Sequence, residues 1–386
     1  MPPLRIFLAV HGPAHVQLPA SRVWYYNLHL PLVDLGHEVI PFRFDLEPFF
    51  HHVNPAIPAE RRYLEANRPR LEAELLRQIE AEHRRRPLDV FFSYFYAGFC
   101  LPETIQRIRD LGIFTLNWYC NALHQFDLIA PLAPAYDACL VPEQARLDDY
   151  RRIGARPIYC QEAANPNIYT PAWAEGESDP YRHEVAFVGQ RYGDRPEMLA
   201  YLARNGVPVR AWGVGWAGYA ATVAQAPGRL KGLLSPSGLA YGFRRLGRLW
   251  ADRRFALPAG AAGGPLTDEE MIEVFSRSKI NLGFGSVGET ARAGRSQFQV
   301  RLRDFEVPMS GGFYLTQYQP ELAGFFDIGR EIVCFESKEE LLQKVRYYLA
   351  HDAEREAIRR RGYERARRDH TWRRRLNDAF QALGIV

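Results

Sequence analysis

Lysine is scarce in this sequence: only Lys231, Lys279, Lys338 and Lys344 stand among 49 basic residues, so arginine supplies 49 − 4 = 45. A GC-rich coding sequence accounts for most of that bias, and no function rests on it. It leaves few candidates for chemistry that begins with a lysine Schiff base, such as pyridoxal-dependent phosphorolysis. Lys279 opens a strand pattern, Lys338 and Lys344 lie in a helical one and Lys231 in a long connection, so none suits that role. Cysteine is equally sparse: Cys100, Cys120, Cys139, Cys160 and Cys334 are widely spaced, odd in number and without a CxxC pair. That excludes a disulfide scaffold, argues against structural zinc and favours a reducing compartment. No apolar run approaches the ~18 residues of a membrane span. The apolar opening Leu4 to Val10 is interrupted by His11 and Gly12 and reads as a buried strand, not a signal peptide. A cytoplasmic location follows as the expectation.

What is present has the periodicity of a large α/β protein. The 386 residues, 47% hydrophobic, exceed one comfortable core and favour two domains. Apolar runs alternate with helical patterns: LRIFLAV, a helix from Ser21 to Leu35, EVIPF, a charged helix from about Glu60 to Arg85, DVFFSYF, a helix from Pro102 to Leu111, GIFTLNW, YDACLV, a helix from Glu143 to Arg152 and PIYC. The stretch Ala163 to Tyr181 is rich in proline and reads as a linker. Alternation then resumes with EVAFVG, a helix from Arg195 to Arg204, VPVRAW, a helix from Thr267 to Ser276, KINLGF, a helix leading to Glu306, GFYLT, EIVCF and two terminal helical patterns. Strands alternating with helices specify mainly parallel sheets covered on both faces, here two doubly wound domains with ligand sites beyond the strand carboxyl ends and a cleft between them. The expected division is 1–165, 166–369 and a final helix over 370–386 that packs on a domain and can cross back to the first.

Charge is uneven. From Ala217 to Leu266, seven basic residues face one acid, Asp252, giving +6 within a total of +4 and leaving the remainder at 4 − 6 = −2. This insert, 217–266, is longer than a normal connection. Its part 238–255 places Leu239, Phe243, Leu246, Leu249 and Trp250 near helical spacing among five arginines. Such a helix suits the anionic inner face of a membrane, and equally suits packing on the second domain with solvated arginines. No nucleic-acid partner is expected.

The densest motif lies in the second half, at QVRLRDFEVPMSGGFYLT from Gln299. Arg303-Asp304-Phe305-Glu306, Ser310-Gly311-Gly312, Leu315-Thr316, Glu321-Leu322 with Phe325, Gly329 with Glu331 and Val333, Tyr347-Tyr348-Leu349 with His351, and Arg367 with His370-Thr371-Trp372 follow in fixed order. This stretch resembles the CgeB-like, spore-maturation-type glycosyltransferases; the first half matches more loosely, through YDACLVP and Asn165-Pro166. The resemblance implies a GT-B fold, two Rossmann-like domains facing a central cleft, and transfer of a sugar from a nucleotide-sugar donor held by the second domain. It also implies that Glu306 holds the nucleotide ribose and that the loop after EVAFVG contacts the donor phosphates.

The residues allow these roles physically. Arg303 shares a helical face with Glu306 and can neutralise phosphate, though the two can equally form a plain ion pair. Gly311 and Gly312 let backbone amides approach a diphosphate, or simply make a tight turn. In FVGQRYGDR, Gly189 permits close approach, and Arg191 and Arg195 can reach phosphate oxygens beside a helix N-terminus. The WGVGWAG loop offers Gly213 and Trp216 to a nucleotide base, or Trp216 to the core; lacking an acid about twenty residues on, it is no dinucleotide fingerprint.

Stereochemistry stays open. Many retaining relatives place a carboxylate eight residues before the ribose-binding acid, and Phe298 stands there, leaving Gln297, Gln299 or loop amides to contact the sugar. An inverting route needs a base, for which His11, His124 and Asp127 are candidates and His11 the best placed. Asp148 and Asp149 fall in a helical pattern and make no strand-end DxD motif, so no metal or cofactor is expected, the nucleotide sugar being a substrate. The acceptor is a glycan, lipid-linked or protein hydroxyl. Competing readings are a nucleotide-sugar epimerase on the same scaffold and a non-catalytic sugar-nucleotide-binding protein.

Overall fold

The computed structural model describes residues 3–10, 22–50, 52, 57–173, 177, 180–216, 255–287 and 297–385. Contacts divide the chain into two units: Met1–Tyr169 with Gln299–Glu306 and Arg365–Val386, and Thr170–Phe298 with Val307–Glu364.

The first unit is built on six parallel strands: β1 (Arg5–Ala9), β2 (Glu38–Pro41), β3 (Val90–Ser93), β4 (Phe114–Trp118), β5 (Ala138–Val141) and β6 (Pro157–Tyr159), in the order β2-β1-β3-β4-β5-β6. The central strands are apolar on both faces, with Phe7 opposite Phe91 and Ile6 to Ala9 and Val90 to Phe92 buried, as helices on both sides of a parallel sheet require. Helix α1 (Leu30–Asp34) follows a π-helical turn over Tyr25–His29 and stops at Gly36, whose φ of 88° suits only glycine well. A short helix, α2, covers Glu47–Phe50. Helix α3 (Pro58–Arg85) starts with proline at its first position and buries Leu64, Leu71, Leu75, Leu76 and Ile79 along one stripe. Helices α4 (Pro102–Asp110), α5 (Ala122–Ile129) and α6 (Leu147–Arg152) cross between later strands. The buried Arg5 guanidinium is held by Glu38, Glu82 and the carbonyls of Glu82 and Arg86, which ties β1 to the end of α3.

The second unit repeats the plan with β7 (His183–Val188), α7 (Arg195–Arg204), β8 (Val209–Trp212), β9 (Ala262–Gly263), α8 (Asp268–Ser276), β10 (Ser278–Gly283), β11 (Tyr314–Gln317) and β12 (Val333–Phe335). Its order, β12-β11-β10-β7-β8-β9, reverses direction between β7 and β10, where a doubly wound sheet binds ligands. Thr267 and Glu270 form a reciprocal capping box that starts α8. Helix α9 (Leu302–Met309) begins among residues of the first unit and ends among those of the second. Helices α10 (Lys338–Ala350) and α11 (Asp352–Asp369) precede α12 (Trp372–Leu383). The last lies in the first unit, where buried Trp372, Leu376, Ala379 and Phe380 join the core and Trp372 meets Trp118 edge-on at 5.2 Å.

Candidate functional site

In the second unit, the chain after β7 turns at Gly189 over the switch point. The Gly189 carbonyl accepts from Trp216 Nε1 at 2.7 Å and lies 2.3 Å from where a Cβ on Gly213 would sit, and Gly213 has φ of 133°. Glycine at 213 is therefore what lets the β7 and β8 loops touch. Trp216 is buried, edge-on to Phe187 at 5.9 Å, with the Arg191 guanidinium 5.8 Å from its ring. Arg195 is also buried: it stacks 3.8 Å from the Tyr192 ring and donates to the carbonyls of Gln190 at 3.0 Å and Phe284 at 3.3 Å. Five of the expected donor residues, Gly189, Arg191, Arg195, Gly213 and Trp216, thus converge on one loop cluster.

A sixth member was not foreseen. Asp194, at the N-terminus of α7, accepts from Ser286 Oγ at 2.5 Å and Gln317 Nε2 at 3.2 Å. It thereby joins the carboxyl ends of β7, β10 and β11. Gln317 Oε1 and Gln319 Nε2 are buried beside β11 with no hydrogen-bond partner, an arrangement suited to a ligand carrying both a donor and an acceptor. The Gly-Asp-Arg run before a helix was the only local signal.

Gly311 and Gly312 lie elsewhere in this unit and meet protein. Gly311 has φ of 73°, and a Cβ there would stand 2.9 Å from Trp173; one on Gly312 would stand 2.7 Å from Asn281 Nδ2. Arg359 Nη1 donates to the Gly311 carbonyl at 3.0 Å.

Arg303 and Glu306 belong to the residues of the first unit. They form an i, i+3 ion pair on α9, with Glu306 fully buried and its other oxygen accepting from Tyr169 Oη at 2.6 Å. Gln299, preceding them, donates from Nε2 to the Cys120 carbonyl at 2.5 Å and to Glu143 Oε1 at 3.2 Å. Two carboxylates that sequence reasoning passed over, Glu143 after β5 and Glu162 after β6, are buried here. Burial pushes the Glu162 carboxyl up to about 8, with Arg301 opposing the rise and Glu143 and Asp304 adding to it. His124, on α5, is pushed down to about 4 by burial and by Arg301 and Arg146, with Asp127 opposing. His11 and 217–254, which include all of the expected basic helix 238–255 except Phe255, lie outside the described residues. Among the described residues no three His, Cys, Asp or Glu side chains gather as metal ligands would.

Two parallel six-stranded sheets, each wound with helices and the second carrying a glycine loop at its switch point, make up the GT-B fold. Residues 195–381 of the chain match the family model described as glycosyl transferase-like. Its fold is similar to that of sucrose-phosphate synthase from Thermosynechococcus elongatus, at 13% identity and a TM-score of 0.61 over 99% of both chains. It is also similar to HepE of Anabaena in complex with UDP and glucose, at 11% identity and a TM-score of 0.60 over 99% of this chain and 100% of that one. A glycosyltransferase from Rickettsia africae matches at 12% identity and a TM-score of 0.57 over 98% and 99% of the two chains. Among curated proteins none matches the sequence. Among the described residues no helix is long and apolar enough to cross a membrane.

Proposed function

We propose that this protein transfers a sugar from a nucleotide diphosphate sugar to the hydroxyl of a glycan, lipid-linked or protein acceptor, in the manner of the spore-maturation-type branch its motif resembles. The observation that carries the reading is the loop cluster at the β7/β10 switch point, in a chain whose residues 195–381 match the glycosyl transferase-like model. The structures of HepE with UDP and with UDP-glucose make UDP the first nucleotide to test. In the proposed reaction the acceptor oxygen bonds to the anomeric carbon as that carbon's bond to the diphosphate breaks. The hydroxyl proton goes to a base in an inverting route or to the departing diphosphate in a retaining one.

Arg191 and the α7 N-terminus are assigned the diphosphate, and Arg195 holds the loop that presents it. Glu306 and Arg303 are assigned the ribose and a phosphate. Each would exchange an internal bond for one to the donor, the Tyr169 hydroxyl giving way to a ribose hydroxyl. Arginine and helix-end charge make transfer metal-independent in this scheme. The setting is cytoplasmic, with 238–255 available for an anionic membrane face.

A thermal-shift panel of UDP, GDP, ADP and their sugars, followed by acceptor-dependent transfer with EDTA present, tests the reading. Stabilisation by one nucleotide and sugar turnover only with an acceptor extract are expected. No stabilisation by any nucleotide, or isomerisation of the donor sugar without acceptor, refutes it.

A further inference from the structure

The first unit gathers an unusual density of buried polar atoms without partners at the carboxyl ends of β3 to β6. They are Trp24 Nε1, Glu162 Oε2, Gln299 Oε1 and Arg301 Nε, and Trp24, Glu162 and Gln299 are 7%, 5% and 4% exposed. A buried polar group left unbonded costs about 1–3 kcal/mol, and interiors rarely tolerate more than a few, so several in one place call for a bonding partner. Contacts join them into one constellation. Trp24 stacks on Tyr94 at 5.2 Å, and Tyr94 Oη lies 3.5 Å from Cys120 Sγ. The Cys120 carbonyl accepts from Gln299, which also reaches Glu143, and Cys120 is a hydrogen-bonding neighbour of Glu162, with Arg301 close to both.

We propose that this constellation binds an uncharged polyhydroxylated ligand, a sugar, whose hydroxyls bond Glu162, Gln299 and Arg301 and whose ring packs toward Trp24. The unmet atoms include donors (Trp24 Nε1, Arg301 Nε), an acceptor (Gln299 Oε1) and a Glu162 carboxyl oxygen that donates while protonated, and a hydroxyl can meet either kind. Acids and a base surround the site together, Glu143 and Asp304 against Arg301, which disfavours a ligand of strong charge of either sign. The indole of Trp24, in contact with Tyr94 and Trp118 at 5.2 Å each, offers the aromatic body that polar-rimmed small-molecule sites carry. The proposal rests on the transferase reading in that it names the chemical class of the acceptor: a neutral sugar, as a free or terminal residue.

Burial keeps the Glu162 carboxyl protonated at neutral pH, so it enters the site as a donor of a hydrogen bond, and ionisation above about 8 would add a negative charge beside Glu143 and Asp304. The test titrates the full chain with D-glucose, D-galactose, D-mannose and inorganic phosphate, followed by saturation-transfer NMR and tryptophan fluorescence. At least one monosaccharide should saturate and phosphate should not. Binding should weaken roughly tenfold or more in Gln299→Leu. In Glu162→Gln, which keeps a donor and the volume, it should persist and lose the decline above pH 8 that the wild type shows. Binding of no monosaccharide, binding of phosphate in their place, or an unchanged affinity in Gln299→Leu would overturn the proposal. UDP stabilisation of the wild type is measured on the same samples: if it holds while sugars fail, only the acceptor proposal falls, and if it fails while sugars bind, only the donor reading does.

Discussion

Replacing Glu162 by glutamine should stabilise the protein, and by an amount that grows with pH. Burial, with Glu143 and Asp304 adding to it and Arg301 and Cys120 opposing, raises the Glu162 carboxyl from 4.5 to about 8. Below pH 4.5 the acid is neutral in both folded and unfolded chains, so its contribution to stability is fully present there. Between 4.5 and 8 the unfolded chain releases the proton while the folded chain retains it, and stability falls by about 1.4 kcal/mol per pH unit. The cumulative loss is about 3 kcal/mol at pH 7 and levels off near 5 kcal/mol above pH 8. Glutamine has the same volume, keeps a donor and cannot ionise. The stability of Glu162→Gln relative to wild type should therefore rise from near zero at pH 4.5 along that curve. Urea unfolding at pH 4.5, 6, 7, 8 and 9, followed by tryptophan fluorescence, measures it, since Trp24, Trp118 and Trp372 are all buried in the first unit. Two units can unfold in separate steps, so the comparison is made on the transition that these tryptophans report. A difference constant across pH, or a variant that loses ground as pH rises, would refute the assignment of a neutral buried acid.

Glu306→Ala leaves the Arg303 guanidinium and the Tyr169 hydroxyl facing an interior without their carboxylate, and should cost about 3–5 kcal/mol in urea, with Glu306→Gln costing less because it still accepts from Tyr169. A loss under about 1 kcal/mol in both would mean that the pair is not held as described. Gly213→Ala forces an L residue to φ of 133° with its Cβ 2.3 Å from the Gly189 carbonyl. It should lower stability by about 1–3 kcal/mol and, by prising the two loops apart, abolish the thermal shift given by UDP. An unchanged UDP shift in a folded Gly213→Ala protein would separate this turn from nucleotide binding.

Much of the architecture was legible because its signals are local. The helix expected from Arg195 to Arg204 spans those residues, KINLGF became β10, and the helix expected from Thr267 carries Thr267 as its cap. Each is an apolar run or stripe bounded by a capping or turn residue, which the chain specifies within a few positions. Elements without such bounds escaped. Helix α5 breaks its own geometry at Gln125, where φ is −130°, and β9 has two residues, too few for any periodicity to show. The expected helix ending at Glu306 continues to Met309, with Pro308 in its last turn.

The sites divide along the same line. The Gly189 and Gly213 loops announced themselves through glycine beside strand-like runs, whereas Glu143 and Glu162 follow their strands by two and three residues and look like ordinary loop acids. What distinguishes them is that the sheet delivers both to one buried place, together with a segment more than 130 residues later in the sequence. Phe298 shows how this changes the reading of a motif. That position carries an exposed phenyl ring on a backbone bridged in strand fashion to Ser286, and in an extended segment the next residue faces the opposite way. Gln299 is that residue, and it is the one turned into the buried constellation. An aromatic at 298 therefore occupies one face of the segment without emptying the other, and the polar side chain of this stretch that reaches Glu143 is its neighbour, Gln299.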